Sequence, residues 1–137
     1  MRLRRLTAGE AALARDMFGE GLDPARPWVL TGAPTGGWAM VLVGVMLFPI
    51  DVADFAAEPL ERQAWFVHEM AHVRQFQSKP LWTLLSWAGL ALTGGYLTRR
   101  AYAPPKPGAT PNLEQEAMAV EARFLEGRSG VTNDTRP

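Results

Sequence analysis

The hydrophobic positions divide the first half of the chain into one helical segment and two short apolar runs. Thr7 with Glu10 three residues later has the spacing of a capping box, and the alanine-rich segment behind it predicts a helix over about 8–18. Glycines and prolines then surround an apolar run at 28–31, which predicts a short strand. A longer apolar run at 38–48 contains valines and no alternation, so we expect a strand covered on both faces that can pair with 28–31 as a hairpin.

The second half of the chain begins with a pattern typical of a central helix. Pro59 suits the first position of a helix, and the segment from there to about Ser78 is apolar on most of its sides. The next segment, Leu81–Leu97, carries no charge. A membrane span needs roughly 20 apolar residues, and this stretch is shorter and interrupted by glycines. We therefore interpret 81–92 as a second buried helix that ends at a glycine-rich loop.

A last helix is predicted over 113–126, because Asn112 and Gln115 have capping-box spacing and Gly127 is a typical C-terminal stop. The length of 137 residues indicates one domain, which we place at 1–127 with a flexible tail over 128–137. The helices outnumber the strands, so the predicted fold class is α+β and mostly α.

Composition and charge exclude several classes of protein. Fourteen basic and fourteen acidic residues give no net charge, whereas a nucleic-acid-binding domain usually carries a basic excess. We interpret the arginines among residues 2–5 as a short solvated run. Because no apolar segment follows them, a signal peptide is not predicted and a cytoplasmic chain is expected. The absence of cysteine excludes disulfides and thiolate metal sites, so a metal would need histidine and carboxylate ligands.

The two histidines of the chain lie in one pentapeptide, His68-Glu69-Met70-Ala71-His72. Residues four apart share one face of a helix, so both imidazoles can bind the same ion. Glu69 lies one step round the helix, where it can deprotonate a metal-bound water. Two histidines and a glutamate are costly on an otherwise apolar helix unless they have a function. The pattern therefore predicts a metal site with Glu69 as general base.

A catalytic zinc site takes three protein ligands and keeps a fourth position for water. With no further histidine or cysteine, the third ligand must be Asp or Glu, and helical geometry alone does not choose among the candidates. The downstream candidates are Glu114, Glu116, Glu121 and Glu126, and the upstream candidates are Asp51, Asp54, Glu58 and Glu61.

The HExxH segment, followed further along by Asn-Leu-Glu-Gln-Glu-Ala at 112–117, resembles the gluzincin clan of zinc metallopeptidases. In particular it resembles small bacterial proteins often labelled Vgr-related, over about residues 22–125. They share a strand ending in Phe-Pro, an Asp-Phe pair and a Phe-Val-His-Glu helix, which here are Phe48-Pro49, Asp54-Phe55 and 66–69. The resemblance implies a minimal zincin-like domain with a small β-hairpin or edge strand, Glu114 as the third zinc ligand, and Ala117 as the small residue that lets the two helices approach.

Two positions depart from the family pattern. Arg74 stands where relatives often have Trp, and Met118 stands where many gluzincins have an Asp that orients a ligand histidine. Tyr96 and Tyr102, which lie between the two motifs, are candidates for stabilising a developing oxyanion. An amphipathic tyrosine at a helix end is the alternative interpretation of both.

The leading functional hypothesis is a zinc metallopeptidase whose peptide or protein substrate lies extended along an edge strand, with Glu69 as the base. One alternative is a catalytically weak or inactive zinc-binding scaffold associated with a secretion-system partner. The other alternative is a membrane-associated metalloprotease with Leu81–Leu97 in the bilayer, which the predicted metal site disfavours because one span would separate its ligands. A nucleic-acid partner is not expected.

Overall fold

A computed structural model describes residues 1–95, 100–104 and 107–133 of the chain. The fold is mixed, with four helices and one small sheet among these residues. The helices are α1 (Ala8–Phe18), α2 (Leu60–Ser78), α3 (Pro80–Leu92) and α4 (Leu113–Asn133). The strands are β1 (Arg2–Arg5), β2 (Trp28–Thr31), β3 (Met40–Leu42) and β4 (Val45–Leu47).

Local signals in the sequence set the starts of three helices. The hydroxyl of Thr7 accepts a hydrogen bond from the backbone N–H of Glu10 at 3.1 Å, and the carboxylate of Glu10 accepts one from the backbone N–H of Thr7 at 3.1 Å. The predicted capping box of α1 is thereby confirmed. Asn112 and Gln115 exchange the same pair of bonds at α4. The helix α2 begins directly after Pro59, one residue later than predicted.

The sheet has the order β1-β2-β4-β3, and its pairing differs from the predicted hairpin. The strand β2 runs parallel to β4, while β3 and β4 form an antiparallel hairpin inside the run predicted as one strand. Val43 and Gly44 make its turn with positive φ angles of 41° and 86°. Two such residues are what a tight hairpin turn requires. The run 38–48 was predicted as one strand because valine, a β-branched residue, rarely adopts the left-handed conformation that Val43 has in this turn.

The strand β1 was not predicted. It pairs antiparallel with β2 along the edge of the sheet. Arg2 and Arg5 are exposed, as expected of a solvated run, but Arg4 is half-buried. Arg4 explains the difference, because its guanidinium reaches the buried carboxylate of Glu10 at 2.6 Å. The polar residues of this segment therefore belong to an edge strand, β1, that anchors α1 through Arg4.

The hydrophobic core lies between the sheet and α2. Phe55 and Phe66 stack with ring centroids 5.1 Å apart, and Phe48 lies 4.4 Å from Phe55. All three rings are fully buried, together with Met46 of β4 and Met70 of α2. This packing holds one face of α2 against the core, and the two histidines lie on the opposite face of the helix.

The helix α3 is present as predicted, but the expectation that it is buried was wrong. Leu81, Trp82 and Leu85 are 69%, 59% and 62% exposed. The most buried side chain of α3 is Thr83, whose hydroxyl donates to the backbone carbonyl oxygen of Gln75 at 2.7 Å. An uncharged helix carries no polar face in its sequence to show which side meets solvent, so the pattern could not fix its rotation.

The run 38–48 is also more exposed than expected, since Trp38 is 60% and Leu42 is 45% exposed. The helix α4 continues through Gly127 to Asn133, so the predicted stop at Gly127 was wrong. A glycine ends a helix when it takes the left-handed conformation, and Gly127 does not. No helix in the described parts of the chain is long and apolar enough to cross a membrane.

Candidate metal centre

The helix α2 presents His68 and His72 on the face that meets α4. The two imidazole rings have centroids 5.2 Å apart and are inclined by 72°. This arrangement follows from the four-residue spacing, which places both side chains one above the other on the same side of the helix. Ala117 of α4 is fully buried, so no bulky side chain at that position holds the helices apart.

Glu114 lies opposite the two histidines near the start of α4. One carboxylate oxygen is 3.1 Å from Nε2 of His68, and the other is 3.1 Å from Nε2 of His72. The three residues offer ligand atoms that all lie within 4.8 Å of one another. Glu114 is only 6% exposed, so these atoms face an interior space rather than bulk solvent. The cluster could bind a metal ion.

The remaining downstream carboxylates are not part of this cluster. Glu116 accepts a hydrogen bond from the side-chain amide of Gln75 at 2.9 Å. Glu121 has an oxygen 3.8 Å from Nδ1 of His68, on the side of the ring that points away from Glu114. Glu126 is exposed on α4.

The four upstream candidates have other positions. Asp51 accepts a hydrogen bond from the Thr31 hydroxyl, and Asp54 caps the short helical turn at Phe55–Ala57. Glu58 pairs with Arg62, and Glu61 is exposed in the first turn of α2. None of these four belongs to the metal-capable cluster found among the described residues.

Gln75 fixes the orientation of one histidine, although no pattern in the sequence singled it out. Its side-chain oxygen is 2.9 Å from Nδ1 of His72, while its amide donates to the carbonyl oxygen of Leu113 at 3.1 Å and to Glu116. Because an amide oxygen only accepts, Nδ1 of His72 carries the proton and donates. Nε2 is therefore the atom directed at Glu114. Such contacts orient metal-binding histidines in known sites.

Glu69 lies beside the cluster and lines the same cleft. It is 5% exposed, and one of its carboxylate oxygens is fully buried without a hydrogen-bond partner among the described residues. Burial raises the pKa of this carboxyl, and the neighbouring His72 and His68 partly oppose the shift. A carboxyl with a raised pKa takes up and returns a proton more readily near neutral pH.

The charges of Glu114 and His72 are coupled. Burial by itself favours the neutral form of each, but the hydrogen bonds between Glu114 and both imidazoles lower the pKa of Glu114 to about 2. The same interaction raises the pKa of His72 to about 9, against the opposing effect of burial. Without a metal ion, this pair is therefore an ion pair near neutral pH.

The cluster opens into a cleft of about 660 Å³ with mainly apolar walls. Trp65 forms part of the wall, as does Met118, which is 38% exposed at the position where the family pattern has Asp. Arg74, the other departure from that pattern, faces α1, with its guanidinium 6.0 Å from the ring of Phe18. The walls also include Trp38, Met40, Val41, Phe76, Trp87 and Leu113.

Tyr102 also lines the cleft. Burial, together with the negative charges of Glu114 and Glu69, raises the pKa of its hydroxyl to about 12. The hydroxyl therefore keeps its proton at neutral pH and is able to donate it to a hydrogen bond. Tyr96, the other predicted tyrosine, lies outside the described residues.

The comparisons by sequence and by structure point to one relative of this chain. The type VI secretion system spike protein VgrG2b of Pseudomonas aeruginosa is 29% identical over 145 aligned positions, which cover 90% of this chain and 13% of that protein. The solved structure of the effector domain of P. aeruginosa VgrG2b superposes with a TM-score of 0.70 at 29% identity, over 92% of this chain and 75% of the domain. No known protein-family profile matches the chain.

These similarities support the Vgr-related resemblance predicted from the sequence. This chain spans only a small fraction of the full spike protein and most of its effector domain. The likeness therefore concerns the domain that is called an effector in that protein.

Proposed function

We propose that this chain is a zinc-dependent metallopeptidase of the effector type. The observation that carries the proposal is the meeting of His68, His72 and Glu114 beside the buried carboxylate of Glu69. Two imidazole nitrogens and one carboxylate oxygen are the protein ligands of many catalytic zinc sites, which keep one position for water. The proposed fold is accordingly a minimal zincin-like α+β domain.

The buried polar atoms fit a cation at this position. Glu114 and Glu69 place two carboxyl groups in an interior space, where burial of negative charge is costly without a compensating positive charge. A zinc ion held by the three residues would supply Lewis-acid chemistry, polarising a carbonyl and making water more acidic. The contact of Gln75 with Nδ1 of His72 leaves Nε2 free to act as the ligand atom once its proton is lost.

The residues of the chain suggest a division of roles in peptide hydrolysis. Glu69 accepts the proton of the attacking water and returns it to the leaving amine, a task suited to its raised pKa. Tyr102, which lines the cleft and is protonated at neutral pH, would donate a hydrogen bond to the oxygen that becomes negative in the transition state. The strand β3 lies at the edge of the sheet, and Met40 and Val41 line the cleft, so an extended peptide can pair with this edge.

A second candidate function follows from the comparisons with known proteins. The similarity to a type VI effector domain supports a role linked to bacterial secretion, which does not by itself require turnover. In this alternative the chain is a catalytically weak or inactive metal-binding scaffold that acts with a secretion-system partner. Glu69 favours the enzyme, because one of its buried oxygens has no hydrogen-bond partner among the described residues and a purely structural site needs no base beside the ion.

The test is metal analysis of the purified protein together with hydrolysis of unfolded protein substrates. We expect one zinc ion per chain and cleavage that is lost on chelation and restored by zinc. Zinc at full occupancy without cleavage of any unfolded substrate would favour the scaffold. Absence of zinc in protein prepared with the metal present would contradict both functions.

A further inference from the structure

We propose that the exposed apolar face of α3 docks on the surface of an anionic lipid bilayer. We call the α3 face the set of large apolar side chains that this helix turns to solvent. Its members are Leu81, Trp82, Leu84, Leu85 and Leu92. The proposal concerns a surface outside the metal cluster and does not depend on peptidase activity.

The helix α3 turns polar side chains toward the protein and large apolar side chains toward solvent, which is the reverse of the usual arrangement. Its inward side carries Thr83, which is 3% exposed, and the hydroxyl of Ser86, which is buried without a hydrogen-bond partner among the described residues. Its outward side carries four exposed leucines, of which Leu81 and Leu92 are 69% and 88% exposed. A contiguous apolar surface of this kind marks a site of contact with another molecule or with a membrane.

The charge of the sequence segment that contains α3 indicates which kind of surface this helix would contact. The segment 79–112 contains Lys79, Arg99, Arg100 and Lys106 and no acidic residue. Four of the fourteen basic residues are therefore in this segment, and the rest of the chain holds ten basic and fourteen acidic residues. A stretch of sequence with net positive charge that contains an uncharged apolar helix is complementary to a lipid surface with negative headgroups.

The shape and composition of α3 favour a lipid surface over a protein groove. Thirteen residues extend about 20 Å, less than the roughly 30 Å of a bilayer core, so the helix would lie along the interface. Trp82 and Trp87, which are 59% and 39% exposed, belong to the residue type enriched at that interface. No charged side chain within Leu81–Leu92 offers a pairing partner to a polar protein surface.

Docking would also bring the metal cleft to the lipid surface. Thr83 and Trp87 of α3 line that cleft, so its rim and the α3 face belong to the same helix. A chain bound through α3 would therefore hold the mouth of the cleft beside the bilayer.

The test is co-sedimentation of the full chain with phosphatidylcholine vesicles that contain either no anionic lipid or about one third phosphatidylglycerol. We expect binding to the anionic vesicles, at least about tenfold weaker binding to the neutral ones, and release at high salt. The double variant Trp82→Gln with Leu85→Gln should bind at least about tenfold more weakly. Both side chains are exposed and outside the cleft, and far-UV circular dichroism checks that the variant is folded.

The matched control is Leu3→Gln, because Leu3 is an exposed leucine of similar accessibility on β1. It should bind vesicles like the parent chain. Absence of vesicle binding, equal binding to neutral and anionic vesicles, or equal loss in the control would overturn the proposal. Concentration-dependent self-association abolished by the α3 double variant, without vesicle binding, would overturn it in favour of a second copy of the chain.

Discussion

At the scale of single residues, Glu69 differs from every other acidic group near the cluster in having a buried oxygen without a partner among the described residues. Glu69→Gln keeps the size of the side chain and removes the base. We expect it to retain zinc and to lose about 10²- to 10⁴-fold in the rate of peptide hydrolysis, the range typical of general-base catalysis. Metal analysis and a peptide-cleavage assay on the same sample measure both properties. Loss of zinc together with activity would contradict the assigned role.

Glu114 and Glu116 provide a matched pair of substitutions on one helix turn. Glu114 faces both histidines at 3.1 Å, whereas Glu116 reaches His72 only through Gln75. Glu116→Ala should lower zinc affinity by at most about 10- to 100-fold, and Glu114→Ala by far more. Competition with a chromogenic chelator measures both affinities. If the two effects were reversed, Glu116 would be the ligand.

The raised pKa of His72 predicts a pH dependence of metal binding. Zinc needs the neutral imidazole, but the metal-free chain holds the proton up to about pH 9. Affinity should therefore rise by about tenfold per pH unit between about pH 7 and 8, with about one proton released per zinc. The carboxyl of Glu114 is already ionised between pH 7 and 8, because its pKa is about 2, so it does not contribute to the pH dependence of zinc affinity. Calorimetry in two buffers of different ionisation enthalpy counts the proton, and a pH-independent affinity would disprove the coupling.

At the scale of elements, the contact between β1 and α1 is held by a buried ion pair. Both oxygens of Glu10 bind the guanidinium of Arg4, at 2.6 and 3.1 Å, and one also accepts the backbone N–H of Phe55 at 3.2 Å. Removing one partner leaves a buried charge uncompensated. Glu10→Ala should lower the free energy of unfolding by about 3–5 kcal/mol, measured by urea denaturation.

The control for that measurement is Glu58→Ala, which removes the pair with the half-exposed Arg62. Exposed pairs contribute little, so its cost should stay below about 1 kcal/mol. Equal costs for the two variants would show that the Arg4–Glu10 pair is not a structural anchor.

The elements that could be predicted from the sequence are those with local signals. The capping pairs at Thr7 and Asn112 and the proline before α2 each act within a few residues, so they are visible without a fold. The turn at Val43 could not be predicted in this way, because its left-handed backbone is stabilised by the pairing of β3 with β4. The rotation of α3 depends on the contact of Thr83 with Gln75, which no periodicity in an uncharged helix reveals.

The same distinction applies to the site. The spacing of His68 and His72 is a property of one helix and predicts their shared face. The position of Glu114 opposite them was implied only by the family resemblance, since several carboxylates were equally compatible with the helical pattern. The contacts of Gln75 with Leu113 and Glu116, and that of Glu121 with His68, depend on how α4 is rotated against α2, which is set by tertiary packing.

At the scale of the whole molecule, a metal ion at the cluster would join α2 to α4. Binding to the folded chain alone stabilises it by about 2.7 kcal/mol at a zinc concentration one hundred times the dissociation constant. For a domain of this size, the melting temperature should rise by on the order of 10 °C. Differential scanning calorimetry with and without zinc measures the shift. The melting temperature of Glu114→Ala should rise much less on addition of zinc. An equal rise in that variant would indicate that zinc binds at another place in the chain.

The sequence separation of the proposed ligands has a consequence for the order of events during synthesis. His68 and Glu114 are 46 positions apart, and the whole of α3 lies between them. A growing chain exposes the two histidines first and has no complete ligand set until α4 has left the ribosome and packed on α2. The proposed peptidase would therefore stay inactive while it is being made, because Glu114 is the last of its three proposed ligands to be synthesised.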